Sequence, residues 1–399
     1  MKKSTTHELR GRVLFTIMIL AVYMVGRSLL LYNVDSAALH LEELDSQNIM
    51  ISMVSGDRYR YTLFALGIMP YITSNLVIWV YTALRGKEYR ARSSPRKMER
   101  LTWVFMLVIA VSFAVSRAEE LVFKKSVLDE QTLKIIAVLE MVAGAVIIFK
   151  MANLNKEHGI GAQTPIILVN ILDNLISTIQ KFTWEELRRS AVLCLIMALV
   201  VLIMENAIIR VPVQRVSIHN TYADKSCIMF KLDPIGVMPV MFAVSFFMIP
   251  QLIIRFLLTM YKENSTLQQL QEKLTLTEPT GALIYLGIIF TLNMLFSFIM
   301  LSPGDMAENL QKGGDSIVGI YAGKKTKRYL RRLLLLLCIL SGCVLCLLMG
   351  ISLGMSLKGE ISAELALFPA TGTILTGIIC PLYREIRTYW KFDSYSFFM

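Results

Sequence analysis

Histidine is scarce in this chain, with 4 among 399 residues, and no HExxH pair occurs. That removes the commonest route to a helical zinc site and leaves no metal centre to expect. Charge is scarce too: Asp, Glu, Lys and Arg make up 18% of the residues, against about a quarter in soluble domains. No GxxxxGK[ST] sequence is present, so the chain has no phosphate-cradling loop with which to bind and spend a nucleotide. Paired intramembrane aspartates, the signature of one class of membrane protease, are also missing. The six cysteines (Cys194, Cys227, Cys338, Cys343, Cys346 and Cys380) fall mostly inside hydrophobic runs, where they read as small apolar fillers. An enzyme, a metalloprotein or a cofactor protein is therefore not expected.

What fills the space is apolar. Hydrophobic residues reach 55% and the mean hydropathy is +0.56. They come in blocks of about 20, the length that spans the hydrocarbon core of a bilayer. Ten spans are expected, at 11–31, 62–83, 101–117, 133–152, 164–181, 190–210, 235–257, 280–301, 330–354 and 364–383. No small-residue cleavage site follows Arg27, so the first span reads as a retained helix and not a signal peptide. The expected class is an all-α, multi-pass membrane protein.

Charge sets the expected orientation. The N-terminus, the loops 84–100, 153–163, 211–234 and 302–329, and the C-terminal tail hold 27 Lys and Arg against 12 Asp and Glu, counting helix-end residues. The other side holds 13 against 16. Positive loops stay in the cytosol, so both termini are expected there. The net charge of +11 then follows from topology and needs no nucleic acid as partner. Basic runs such as RGKEYRARSSPRKMER (85–100) also suit anionic lipid or an acidic cytosolic protein.

Two cytosolic loops are expected to carry structure. RVPVQRVSIHNTYADKSCIMFKL (210–232) has β-branched runs on either side of HNTYADK, the pattern of a hairpin. The loop 301–332 opens with Ser-Pro-Gly-Asp, continues as a short amphipathic helix and ends in a basic run. Loops this long with structure of their own are usually functional. On the outer side, QNIMISMV lies in a stretch too polar to span and reads as a re-entrant, plugging segment over 45–56.

GIMPYI (67–72) opens the second span and GVMPVM (236–241) opens the seventh. If the ten spans divide five and five, at 1–182 and 183–399, these two occupy corresponding places. Paired Gly/Pro-interrupted helices point to a central path between inverted repeats. Only Arg27, Glu140 and Asp173 are ionisable within spans, and none lies on those two helices. Ile68, Ile72, Thr164, Leu168 and Met241 would instead make an apolar constriction, which seals by dewetting and yields to a large substrate.

FALGIMPYITSNLVIWV (64–80), HGIGAQTPIILVNIL (158–172), RVPVQ (210–214), FKLDPIGVMPVMFA (230–243) and SPGDMAENLQKGGDSIVGIYAG (302–323) together carry a family resemblance. In this order and across nearly the whole chain they resemble SecY, the protein-conducting channel. The resemblance implies the SecY fold: two inverted five-helix halves, a plug, a cytoplasmic hairpin loop and a lateral gate. It implies a pore ring at Ile68, Ile72, Thr164, Leu168 and Met241, with Leu375, Gly377 and Ile378 as tenth-helix candidates. It implies a plug containing Asn48, Ile49, Met50, Ile51, Ser52 and Met53, and places Thr73, Ser74 and Asn75 at the lateral gate.

The departures point to a subtype. The family's GIRPG reads GIYAG here, with Tyr321 at the arginine, and GIGNG has become GIGAQ. The hairpin loop is short and lacks paired arginines. These features resemble the accessory-Sec form of SecY from Gram-positive bacteria. That resemblance implies a plasma-membrane channel working with an accessory SecA ATPase, small SecE- or SecG-like subunits and accessory secretion proteins. Its cargo would be preproteins with signal peptides, above all serine-rich glycosylated adhesins. Motor docking would fall on Arg210, Arg215, Tyr321, Lys324, Lys325, Lys327 and Arg328. A housekeeping-type SecY and an ion-coupled secondary transporter are the alternatives.

Overall fold

A computed structural model describes residues 8–34, 61–92, 94–119, 121–124, 129–215, 227–260, 265–276, 278–359 and 362–396. The helices are α1 (Glu8–Ser28), α2 (Met69–Arg92), α3 (Pro95–Ala118), α4 (Glu130–His158), α5 (Thr164–Lys181), α6 (Trp184–Asn206), α7 (Met238–Met260), α8 (Ser265–Lys273), α9 (Pro279–Leu301), α10 (Pro303–Lys312), α11 (Lys324–Leu357) and α12 (Ala363–Ser396). Three strands, β1 (Ile208–Arg215), β2 (Cys227–Lys231) and β3 (Asp315–Ile317), form one antiparallel sheet in the order β2-β1-β3.

Each of the ten expected spans overlaps a helix. Among the described residues, seven helices are long and apolar enough to cross a membrane: α1, α3, α4, α6, α9 in a run continuing through α10, α11 and α12. The helices of the remaining three expected spans, α2, α5 and α7, carry the expected ring residues except Ile68, which stands one residue before α2. Polar residues dilute two of them: Thr73, Ser74 and Asn75 with a charged tail in α2, and Asn170, Asp173 and Asn174 in α5. The expected plug, 45–56, lies outside the described residues.

Two compact units divide the chain. One contains residues 1–187, 244–278 and 378–399; the other contains 188–243 and 279–377. Helix α7 therefore starts in the second unit, and its later turns belong to the first.

In the first unit, a bent loop between α4 and α5 is held by side chains. Asn155 donates to the carbonyls of Ile160 and Ala162 at 2.9 and 2.7 Å. Thr16 on α1 donates to Asn155 Oδ1 at 3.0 Å and accepts the Ile160 amide at 2.9 Å. Arg27 is 2% exposed and pairs with Asp173 at 2.8 Å, while Tyr23 Oη donates to Asn170 Oδ1 at 2.8 Å. The third ionisable residue, Glu140, accepts the backbone amide of Tyr32 at 3.0 Å. Buried charges are tolerated when paired in this way.

In the second unit, α9 and α11 pack closely. Asn293 donates to the Cys338 carbonyl and to Ser341 Oγ at 3.0 and 2.9 Å, and Gly342 leaves room for Phe290 between them. Small residues with a polar side chain reaching across are the usual glue between apolar helices.

Candidate pathway and docking surface

The GIMP and GVMP turns share one backbone conformation. Gly67 has a φ of +54° and Gly236 a φ of +72°, and each is followed two residues later by the first residue of a helix. Positive φ is free for glycine and strained for other residues, and the proline two places beyond the next residue needs no amide partner in a first helical turn. The four-residue pattern is thus a repeated piece of geometry, and not only a repeated spelling.

Ile68 and Ile72 are buried, at 0% and 3% exposure, and the Ile72 amide donates to the Ile68 carbonyl at 3.1 Å. The i, i+4 spacing sets both on one helical face. Thr164 and Leu168 stand at the same spacing on α5, both half-buried. Met241 is half-buried in the first turn of α7 and belongs to the second unit. Of the tenth-helix candidates, Gly377 lies so close to the GVMP turn that a Cβ there would overlap the Val237 side chain. Leu375 is half-buried and Ile378 buried.

The three residues expected at the gate behave differently from one another. Thr73 and Ser74 are buried and spend their donors inside α2, on the carbonyls of Met69 and Tyr71, each at 2.9 Å. Asn75 instead bonds the Tyr71 side chain and lines a cavity of about 430 Å³ with Trp79, Thr102, Phe149 and Asn153. Asn153 continues this polar line, accepting from Tyr71 at 3.5 Å and donating to Glu99 at 3.4 Å.

The two long loops fold as one module, which their separation in the sequence conceals. Val213, Gln214 and Arg215 of β1 pair with Ile317, Ser316 and Asp315 of β3. Beneath the sheet, Val211, Phe230, Ala307, Ile317, Leu330 and Leu337 make a shared core with α10 and the start of α11. The expected hairpin is present as β1 and β2; its tip, 216–226, lies outside the described residues. On this module Arg210, Lys324, Lys325, Lys327 and Arg328 are exposed, and Arg215 ends β1. Tyr321 is 79% exposed, with Lys325 Nζ 4.9 Å from its ring centre.

A cluster that sequence reading missed lies at the exit of this module. Glu205 in the last turn of α6 and Asp233 after β2 are each 3% exposed, and Lys231 Nζ bonds Glu205 Oε1 at 2.5 Å. Asp233 Oδ1 accepts the Gly236 amide at 3.1 Å. Burial pushes the Asp233 carboxyl up to about 7; the nearby Glu205 adds to the rise, and the Gly236 and Ile235 amides with Lys231 oppose it. The buried acid inside FKLDPIG was the available signal.

Two short patterns dissolve on inspection. Cys343 and Cys346 stand at CxxC spacing and Ser352 at the centre of GISLG, but both lie within the unbroken helix α11. A nucleophile elbow needs a strand–turn–helix setting, and Ser352 donates its hydroxyl to the Ala366 carbonyl. Among the described residues no three His, Cys, Asp or Glu gather as metal ligands.

The chain is 27% identical over 397 residues to the accessory Sec system protein translocase subunit SecY2 of Streptococcus sanguinis (strain SK36), covering 96% of each chain. It is 24% identical over 413 residues to the subunit of the same name from Leuconostoc gelidum subsp. gasicomitatum, covering 98% of this chain and 97% of that one. Its fold resembles a solved protein-conducting channel with a TM-score of 0.67 at 16% identity, over 95% of this chain and 92% of the other. Sec61 in the canine ribosome–channel complex gives 0.62 at 15%, with the same coverage. The SecY family model matches residues 62–380, so the chain belongs to the SecY family, as a multi-pass membrane protein with the fold of these channels.

Proposed function

We propose that this chain is the protein-conducting channel of an accessory Sec translocase, passing unfolded preproteins across the bacterial plasma membrane. The observation that carries this reading is similarity along the whole chain: the family model spans 62–380 and the S. sanguinis subunit aligns over 96% of both chains. Serine-rich glycosylated adhesins are the cargo, an accessory SecA supplies the energy, and small SecE- or SecG-like subunits complete the assembly.

Ile68, Ile72, Thr164, Leu168 and Met241 form the constriction, and residues 45–56, with Asn48 to Met53 at their centre, plug it. The matched positive-φ turns at Gly67 and Gly236 support two repeated halves, 1–182 and 183–399, each giving one broken helix to the path. Thr73, Ser74 and Asn75 belong to the lateral gate, with Asn75 its adjustable member. Both termini lie in the cytosol, on the side of the sheet module. Proteoliposomes holding the full chain, given accessory SecA, ATP and an adhesin preprotein, should shelter the preprotein from added protease. Shelter that needs neither ATP nor the motor, or none at all, would sink the proposal.

A further inference from the structure

Neither the constriction nor the docking surface uses the buried acids Glu205 and Asp233. They meet at a single turn from two directions. Asp233 holds the Gly236 amide from within the loop. Glu205 approaches from α6, so closely that a Cβ at Gly236 would meet its Oε2 at 3.0 Å. Lys231, the last residue of β2, ties Glu205 to the sheet at 2.5 Å, and the Leu232 amide adds a bond to the Ala207 carbonyl at 2.9 Å. Two residues beyond the gripped glycine, α7 begins, and Met241 follows in its first turn.

We infer that Glu205, Lys231 and Asp233 are positioning residues: a clasp that fixes the first turn of α7 to the sheet module and grips it according to the charge on the acid pair.

Two carboxyls and one ammonium are neutral together when the pair holds one proton, and carry −1 when it holds none. Burial makes the second negative charge expensive and places it beside Glu205. The charged groups facing Asp233 are Glu205 on α6 and Lys231 on β2, and Cys338 approaches it from α11. With Asp233 pushed up to about 7 from an ordinary 3.8, the folded chain keeps a proton that the unfolded chain has released. Stability therefore falls as pH rises between those two values and levels off above the upper one. Near neutral pH, losing the proton sets two buried carboxylates against one lysine; the anion is the better acceptor for the Gly236 amide, but the cost of burying it outweighs that bond and favours opening of the turn.

The consequence for conduction rests on the proposed reading of α7 as a pathway helix; the clasp itself does not. The test follows hydrogen exchange at amides 235–243 of the full chain in nanodiscs at pH 6 and pH 8, corrected for intrinsic rates, with ion conductance in planar bilayers measured in parallel. The wild-type chain should lose protection about ten-fold between the two pH values. Asp233→Asn, which still accepts the Gly236 amide and cannot ionise, should keep the pH 6 protection at both. Glu205→Gln, which removes the neighbouring negative charge but leaves Asp233 buried, should shrink the pH dependence without abolishing it. A purely structural Asp233 would change protection equally at both pH values. Equal wild-type protection at pH 6 and 8, or the same fall in Asp233→Asn, overturns the clasp whatever the conductance does. Exchange that follows the expected profile beside a pH-independent conductance upholds the clasp and removes α7 from the pathway.

Discussion

Ala162 sits at a φ of +48°, a conformation in which its Cβ crowds the following carbonyl at a cost of about 1 kcal/mol. The surroundings compel it: Asn155 takes the Ala162 carbonyl at 2.7 Å, and Gly161 on one side already turns at +74°. Ala162→Gly removes the strain and leaves the bonds, so thermal unfolding in detergent should show a gain of about 0.5–1 kcal/mol; an unchanged or lower Tm would mean the strain is not there. Arg27 and Asp173 give the opposite case. Asp173→Ala removes the carboxylate paired with a guanidinium that is 2% exposed and should destabilise by about 3–5 kcal/mol, whereas Arg27→Met with Asp173→Leu should recover most of that loss. Denaturant titration of the three variants decides it, and a double variant as weak as the single one would show that more than charge is involved. At this scale the sequence marked the charges because they interrupt apolar runs. Asn155 stayed invisible, since one asparagine among the polar residues of a helix end carries no pattern.

Helices were legible from hydropathy because a span must satisfy its backbone internally and face lipid with apolar side chains. How they meet was not. Gly342 in α11 is one small residue in a leucine-rich run, yet a Cβ there would stand 2.9 Å from Phe290 and 3.1 Å from Asn293. Gly342→Val should wedge α9 from α11, loosen the Asn293 bonds to Cys338 and Ser341, and lower stability by about 1–3 kcal/mol. Gly354, further along the same helix with nothing within 4 Å, is the control and should tolerate the same change better. Equal losses at both sites would point to helix propensity and not packing. The sheet module was half legible. β-Branched runs on either side of HNTYADK marked β1 and β2, but β3 is three residues long and pairs across about a hundred positions, a distance at which no local pattern operates.

Across the whole molecule, five collinear motifs identified the family, and the helices least like ordinary spans, α2, α5 and α7, were those assigned to the path. Those motifs suggest a motor only through the GIYAG departure at Tyr321, and the expected docking residues have a chemistry of their own. Arg210 on β1 and Lys324, Lys325, Lys327 and Arg328 on α11 are exposed on one module with a common core. Replacing them therefore leaves the apolar packing intact. Tyr321 stands where the family usually places arginine; it offers one hydroxyl and a ring with Lys325 Nζ 4.9 Å from its centre, against five fixed donors and a charge. A motor that relies on that arginine loses its anchor here, while one adapted to a tyrosine beside four cations does not. The chain in nanodiscs should bind accessory SecA more tightly than housekeeping SecA. Reversing the four charges on α11 should weaken accessory binding at least ten-fold, with the contrast shrinking in high salt as screening shortens below about 8 Å. Tyr321→Arg should move the preference back toward the housekeeping motor. Equal affinity for the two motors, or indifference to the reversed charges, would place the docking surface elsewhere on the channel.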